Sequence, residues 1–260
     1  MKYLDMFPIW AVFLGMVAIV LVAAEIGFRT GIWLQDRSSN PGETRITGSM
    51  VGGMLGLIGF LMAFSIGIAI SQHSERKSMM VNEANAIGTA WLRAGFLPEP
   101  DSLSLRRLLR DYAQVRLDAA NQLIELPVAI ADSEKIHRQM WQVVENNVKQ
   151  GNDSDVMAGL VESVNQVINI HLLRITAATK RLPSILGFIL FGTTTLSFLL
   201  VGVASSSDRK RDTSAILLFA LAFIAVLMMM VDLDRPQEGL LTVSQAAITD
   251  LIRQMVPASQ

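Results

Sequence analysis

Apolar residues along this chain collect in four blocks, and a long amphipathic stretch separates the second from the third. Residues 6–24, MFPIWAVFLGMVAIVLVAA, carry no charge. At a helical rise of about 1.5 Å per residue they cross roughly 30 Å, the thickness of a bilayer core. The run is too long for the apolar region of a signal peptide and has no clean cleavage site. It therefore predicts a retained helix, with Trp10 suited to the aromatic belt. Residues 29–47 read as a polar loop holding Arg29, Arg37, Arg45 and the turn dipeptides Ser-Asn and Pro-Gly. The second block runs from Thr47 to Ile70. It passes without a proline into SQHSERKSMMVNEANAIGTAWLR, so residues 48–93 predict one long helix, apolar first and polar after. Pro183 opens the third block, LPSILGFILFGTTTLSFLLVGVASSS. The fourth, TSAILLFALAFIAVLMMMV, stops at Asp232, Asp234, Arg235 and Pro236.

Between the second and third blocks the pattern is helical throughout. Asp101 or Ser102 can cap a helix whose Leu105, Leu108, Leu109, Tyr112, Val115 and Arg116 recur at steps of three and four, with Pro127 as its end. The next helix starts at Asp132 or Ser133, ends at Lys149, and turns Ile136, Met140, Val143, Val144 and Val148 inward. Another starts near Asp155 and turns Leu160, Val161, Val164, Val167, Ile168, His171, Leu172 and Ile175 inward. His171 on that face reads as a core or interface histidine. The tail predicts an extended piece and then an amphipathic helix from Ser244, docked on this bundle or on the membrane surface. The expectation is an all-α polytopic membrane protein with four transmembrane helices and a soluble helical bundle between the second and third. Its parts are a first hairpin (1–72), the bundle (73–181), a second hairpin (182–232) and an amphipathic tail (233–260).

The second span has two ridges. Gly48, Gly52, Gly56, Gly59, Ala63 and Gly67 follow at steps of four, four, three, four and four, which keeps them on one face. Small residues let helices approach closely where lipid offers no hydrophobic drive for association. Phe60, Phe64 and Ile68 form a bulkier row and a candidate pore wall or gate. In the third span, Thr193, Thr194 and Thr195 either bond back to helix carbonyls or line a wet path.

Composition removes several function classes. The net charge of −1 gives no reason to expect a nucleic-acid partner. No cysteine is present, so disulfides and thiolate metal sites are excluded. The three histidines are scattered, and no phosphate loop or nucleophile elbow occurs, so neither enzymatic activity, a cofactor nor a metal is expected. Each short loop carries three basic residues (Arg29, Arg37, Arg45, and Arg209, Lys210, Arg211), against Lys2, Arg235 and Arg253 on the other side. The positive-inside rule then puts the bundle outside the cytoplasm. Charged and polar groups crowd the bundle-side boundary: Arg76, Glu83, Asn85 and Arg93 on the long helix, and Asp232, Asp234 and Arg235 after the fourth span. They form either a salt-bridge collar or a charged vestibule for ions.

The segments VNEANAIGTAWLRAGFLPEP, RRLLRDYAQVRL and VDLDRPQEGLLTVSQ resemble the bestrophin-like family of bacterial membrane proteins. The matching residues are Glu83, Ala84, Asn85, Gly88, Arg93 and Arg116, then Asp232, Asp234, Arg235, Pro236 and Gly239. The resemblance implies remote kinship with bestrophins, pentameric anion channels whose second span lines the pore with stacked apolar residues, as Phe60, Phe64 and Ile68 would. It also implies a homo-oligomer in the plasma (inner) membrane, with lipid and inorganic ions as partners. It places the bundle in the cytoplasm, against the count of basic residues. Two functions follow: an oligomeric ion channel, or a membrane-anchored helical sensor or scaffold without conduction. A transporter is weaker, because the two hairpins show no inverted repeat.

Overall fold

The computed structural model describes residues 8–37, 48–152, 154–206, 213–235 and 241–255. Among them lie eight α-helices and no strand. They are α1 (Ile9–Arg37), α2 (Gly48–Ala94), α3 (Asp101–Ala120), α4 (Leu126–Lys149), α5 (Asp155–Thr179), α6 (Ser184–Ser205), α7 (Thr213–Asp234) and α8 (Ala246–Gln254). Four stretches are long and apolar enough to cross a membrane: in α1, in α2, within Asp155–Ser205, and in α7. The chain divides into two compact units. One holds residues 1–71 and 181–241, and the other residues 72–180 and 242–260. The helix α2 gives its apolar part to the first and its polar part to the second.

The first unit is built on close contact between α1 and α6. A Cβ at Gly27 would collide with the Leu199 carbonyl, and one at Gly202 with the Ala24 carbonyl. Gly31 is as tight against the Ser206 hydroxyl, which also accepts from Gln35 Nε2 at 3.1 Å. Van der Waals contact between backbones holds helices that lipid alone does not drive together. Around this seam Val20, Ala24, Leu190, Phe198, Ala220 and Ile224 are buried, and Phe198 meets Phe223 edge to face at 6.0 Å. The helix α2 turns Ile58, Met62 and Ala69 into the same core, with Ser65 buried on that face and bonded to the Leu61 carbonyl. The hydroxyls of Thr193, Thr194 and Thr195 donate to the carbonyls of Ile189, Leu190 and Phe191 at 2.7–2.8 Å. This is back-bonding within α6.

One expectation about α1 needs correction. Its helix runs past the apolar block to Arg37, so Arg29 and Arg37 lie on a helix and not in a loop. The reason is local: no proline intervenes, Arg29 pairs with Glu25 at 2.8 Å one turn back, and the Arg37 guanidinium lies 4.2 Å over Trp33. Arg45, Arg209, Lys210 and Arg211 lie outside the described residues, as do Pro236 and Gly239.

The second unit packs the polar half of α2 with α3, α4, α5 and α8. Its core includes Ile87, Ala90, Leu105, Leu109, Tyr112, Met140, Val144, Leu160, Val164 and Val167. The tail helix seals it with Ile248, fully buried, and with Leu251, which reaches 3.2 Å from where a Cβ of Gly88 would stand. Pro127 begins α4 instead of ending α3, which stops at Ala120. A proline in the first turn lacks only an N–H that has no partner there, so it starts a helix well. Gly151, with a φ of 90°, follows the end of α4, and Ser154 caps α5 by accepting from Met157 N. Val148 and Leu172 are exposed, so the inward faces of α4 and α5 are narrower than the spacing predicts.

Candidate functional site

A carboxylate at the centre of the second unit organises its polar core. Glu83 follows the small, buried side of α2 and is wholly inaccessible to solvent. A buried ionised carboxylate is tolerated only when paired and fully hydrogen-bonded. Its Oε1 accepts from the Tyr112 hydroxyl at 2.6 Å and from Arg116 Nε at 3.1 Å. Its Oε2 accepts from Arg174 Nη1. Arg174 also donates to Gln245 Oε1 at 3.1 Å, just before α8. The Tyr112 oxygen lies 3.1 Å from His171 Nδ1. The Tyr112 ring stands 4.8 Å from His137 and 5.9 Å from His171, and the two imidazoles meet edge to face at 4.8 Å. Four helices and the α8 approach therefore each place a polar side chain in one cluster.

The titration behaviour follows from burial and from the guanidiniums. Burial raises the Tyr112 phenol pKa, with Arg116 opposing. Burial lowers Arg116, and pushes Arg174 down to about 10. His137 is pushed down to about 4 by burial and then by the charge of Arg116. His171 is pushed down to about 3 by burial, then Arg116, then His137. Both imidazoles are neutral at pH 7.

Sequence reasoning singled out Glu83 as one of a group at the membrane boundary. The structure places it in this cluster, with partners 29 to 91 residues away. Arg93 donates to the Gly159 carbonyl at 2.6 Å and to Ser163 Oγ at 3.0 Å, tying α2 to α5. Arg76 does the same further along, through the carbonyls of Ala177 and Lys180. Asn85 is exposed. In the other unit, Asp234 accepts from Leu182 N at 2.6 Å and faces Arg181 Nη1 at 3.7 Å. Asp232 accepts from Leu241 N at 3.0 Å, and Arg235 is buried. Arg181, which the sequence reading did not name, is thus one partner of Asp234.

The ridges of α2 have a different character from the α1–α6 seam. No atom comes within 4 Å of a Cβ built at Gly48, Gly52, Gly56, Gly59 or Gly67, and Ala63 is exposed. Phe60 and Phe64 are 68% and 60% exposed, whereas Ile68 is half-buried against the core. Among the described residues the glycine ridge meets no neighbouring helix, and Phe60 and Phe64 stand mostly open.

Tyr112, His137 and Arg174 were missed as site residues. Their signal was present: Tyr112 and Arg116 lie one turn apart on the buried stripe of α3, His171 and Arg174 do so on α5, and His137 precedes Met140 on α4. Polar groups inside apolar stripes have to find one another.

A family model for the Bestrophin-like domain matches residues 11–248. The chain belongs to that family. Solved structures of a bacterial Bestrophin homolog from Klebsiella pneumoniae share its fold. One is 13% identical, with a TM-score of 0.71 over 93% of this chain and 96% of that one. Two point variants of the homolog, also 13% identical, align with TM-scores of 0.72 and 0.69, covering 94% and 93% of this chain and 97% of theirs. At that identity the likeness speaks for the fold. No curated protein matches the chain significantly.

Proposed function

We propose that this bestrophin-like protein is an ion channel assembled from several copies, with α2 lining the pore. The observation that carries the reading is the division of α2 into two sides. Ile58, Met62, Ser65 and Ala69 are buried within the chain, while Phe60, Phe64 and the glycine ridge are open. Copies arranged around an axis would use the glycines for close approach and the phenylalanines as an apolar constriction that gates by dewetting. Family membership supports the same reading. The second unit would be a soluble helical bundle between the second and third spans. Exposed Asn85 and the residues near Asp232 would bias ion entry in the oligomer. Inorganic ions are the cargo and the plasma (inner) membrane the site of action, with five copies by analogy to bestrophins.

The test is reconstitution into planar bilayers, with oligomeric state measured in detergent. The expected result is an oligomer that conducts, in which Phe64→Ala raises unitary conductance several-fold. A strictly monomeric, silent protein would overturn the reading and leave the scaffold alternative.

A further inference from the structure

Proton counting in the Glu83 cluster exposes an unmet requirement. The Tyr112 phenol has one proton, and the ionised Glu83 takes it at 2.6 Å. The 3.1 Å contact with His171 must then be Nδ1–H donating to the phenol oxygen. Neutral His171 therefore has a bare lone pair at Nε2. That nitrogen is buried and has no hydrogen-bond partner among the described residues. The same holds for His137 Nε2 and for Arg116 Nη1. All three side chains are more than nine-tenths buried. Charge is unbalanced as well: one buried carboxylate faces the buried guanidinium of Arg116 and the part-buried one of Arg174, an excess of one positive charge around it.

From these observations we propose that Arg116 Nη1, His137 Nε2 and His171 Nε2 together bind one small inorganic anion of chloride size, taken up with a proton. A transition metal fits poorly. Both oxygens of Glu83 are already engaged, and the third free group is a guanidinium, which cannot ligate a cation. A water molecule satisfies the hydrogen bonds but leaves the charge. An anion satisfies both, provided His171 presents N–H instead of a lone pair. Protonation at Nε2 supplies it. The groups around the imidazoles are Glu83 from α2, Tyr112 and Arg116 from α3, Arg174 from α5 and Gln245 before α8. Without an anion, burial opposes the proton, and the charge of Arg116 adds to this. With an anion the opposition falls, so proton and anion each tighten the other's binding. The site is independent of whether α2 conducts.

The test uses full-length protein in detergent with labelled histidine side chains, of which the chain has three. Sodium chloride is compared with sodium gluconate at matched ionic strength, at pH 5.5 and pH 8. Chloride is expected to shift the His137 and His171 imidazole signals, to move their protonation to higher pH, and to raise the Tm. At ten times its Kd the rise is about 3 °C, larger at pH 5.5. The His137→Gln, His171→Gln double variant, folded by circular dichroism, should lose the chloride dependence of its Tm. If that variant does not fold, the imidazole signals of the wild-type protein decide alone. Imidazole signals indifferent to chloride at both pH values would overturn the proposal and leave water in the site. A chloride effect retained in the folded double variant would also overturn it, as binding elsewhere.

Discussion

The two units are held together by opposite means. In the first, α1 and α6 meet backbone to backbone at Gly27 and Gly202, and Gly31 sits as tightly against the Ser206 hydroxyl. In the second, an ionised Glu83 gathers Tyr112, Arg116 and Arg174 inside an apolar core. The difference follows from what competes with each contact. Apolar side chains gain nothing by leaving lipid for one another, so close packing has to supply the attraction. In the second unit the apolar core supplies it, and the polar cluster fixes which helix faces meet. The glycines of α2 add a third case: the same small-residue spacing as a packing seam, with no partner among the described residues.

The contrast breaks most severely at the α1–α6 seam. Gly202→Val puts a branched side chain against the Ala24 carbonyl, and the expected loss is about 4 kcal/mol or more, seen as failure to recover folded protein. Gly56→Val, on the open face, should leave the fold of a single chain intact while removing the proposed oligomer. Next in size is Glu83→Gln, which strands the buried guanidinium of Arg116 and the part-buried one of Arg174. It should destabilise the second unit by about 3–5 kcal/mol in denaturant melts and leave the α1–α6 contacts unchanged.

Acid should separate the units more gently. His137 and His171 have folded pKa values near 4 and 3, below the unfolded value of 6.5. Between pH 6.5 and 3 the unfolded chain binds protons that the folded chain refuses. Their contribution is therefore complete above about pH 7 and lost as the pH falls. In chloride-free buffer the Tm of the second unit should drop from pH 7 to pH 4, and the histidine double variant should flatten the curve.

The four spans were legible because each is a run of apolar residues that only a membrane or a large core accommodates. The faces of α3 were legible too: Leu105, Leu109 and Tyr112 are all buried. Helix ends were not, where local pairs outweighed composition, as from Glu25 to Arg37, or where Pro127 reads equally as a stop or a start. The cluster around Glu83 was out of reach for a different reason. Its members lie on four helices whose mutual rotation no local pattern encodes. The glycine row of α2 shows the limit from the other side, since its spacing is clear and no partner for it stands among the described residues.

The docking of α8 has a consequence for synthesis. The segment from Val243 to Met255, with Gln245 and Ile248, completes a core and a polar cluster whose other members emerge no later than residue 180. On the ribosome, α2 to α5 wait with the face of α2 at Gly88 uncovered by Leu251 while two further spans are made. The second unit is therefore finished last, after the chain has threaded through α6 and α7. A chain stopped at residue 241 would carry every span and still leave that groove empty.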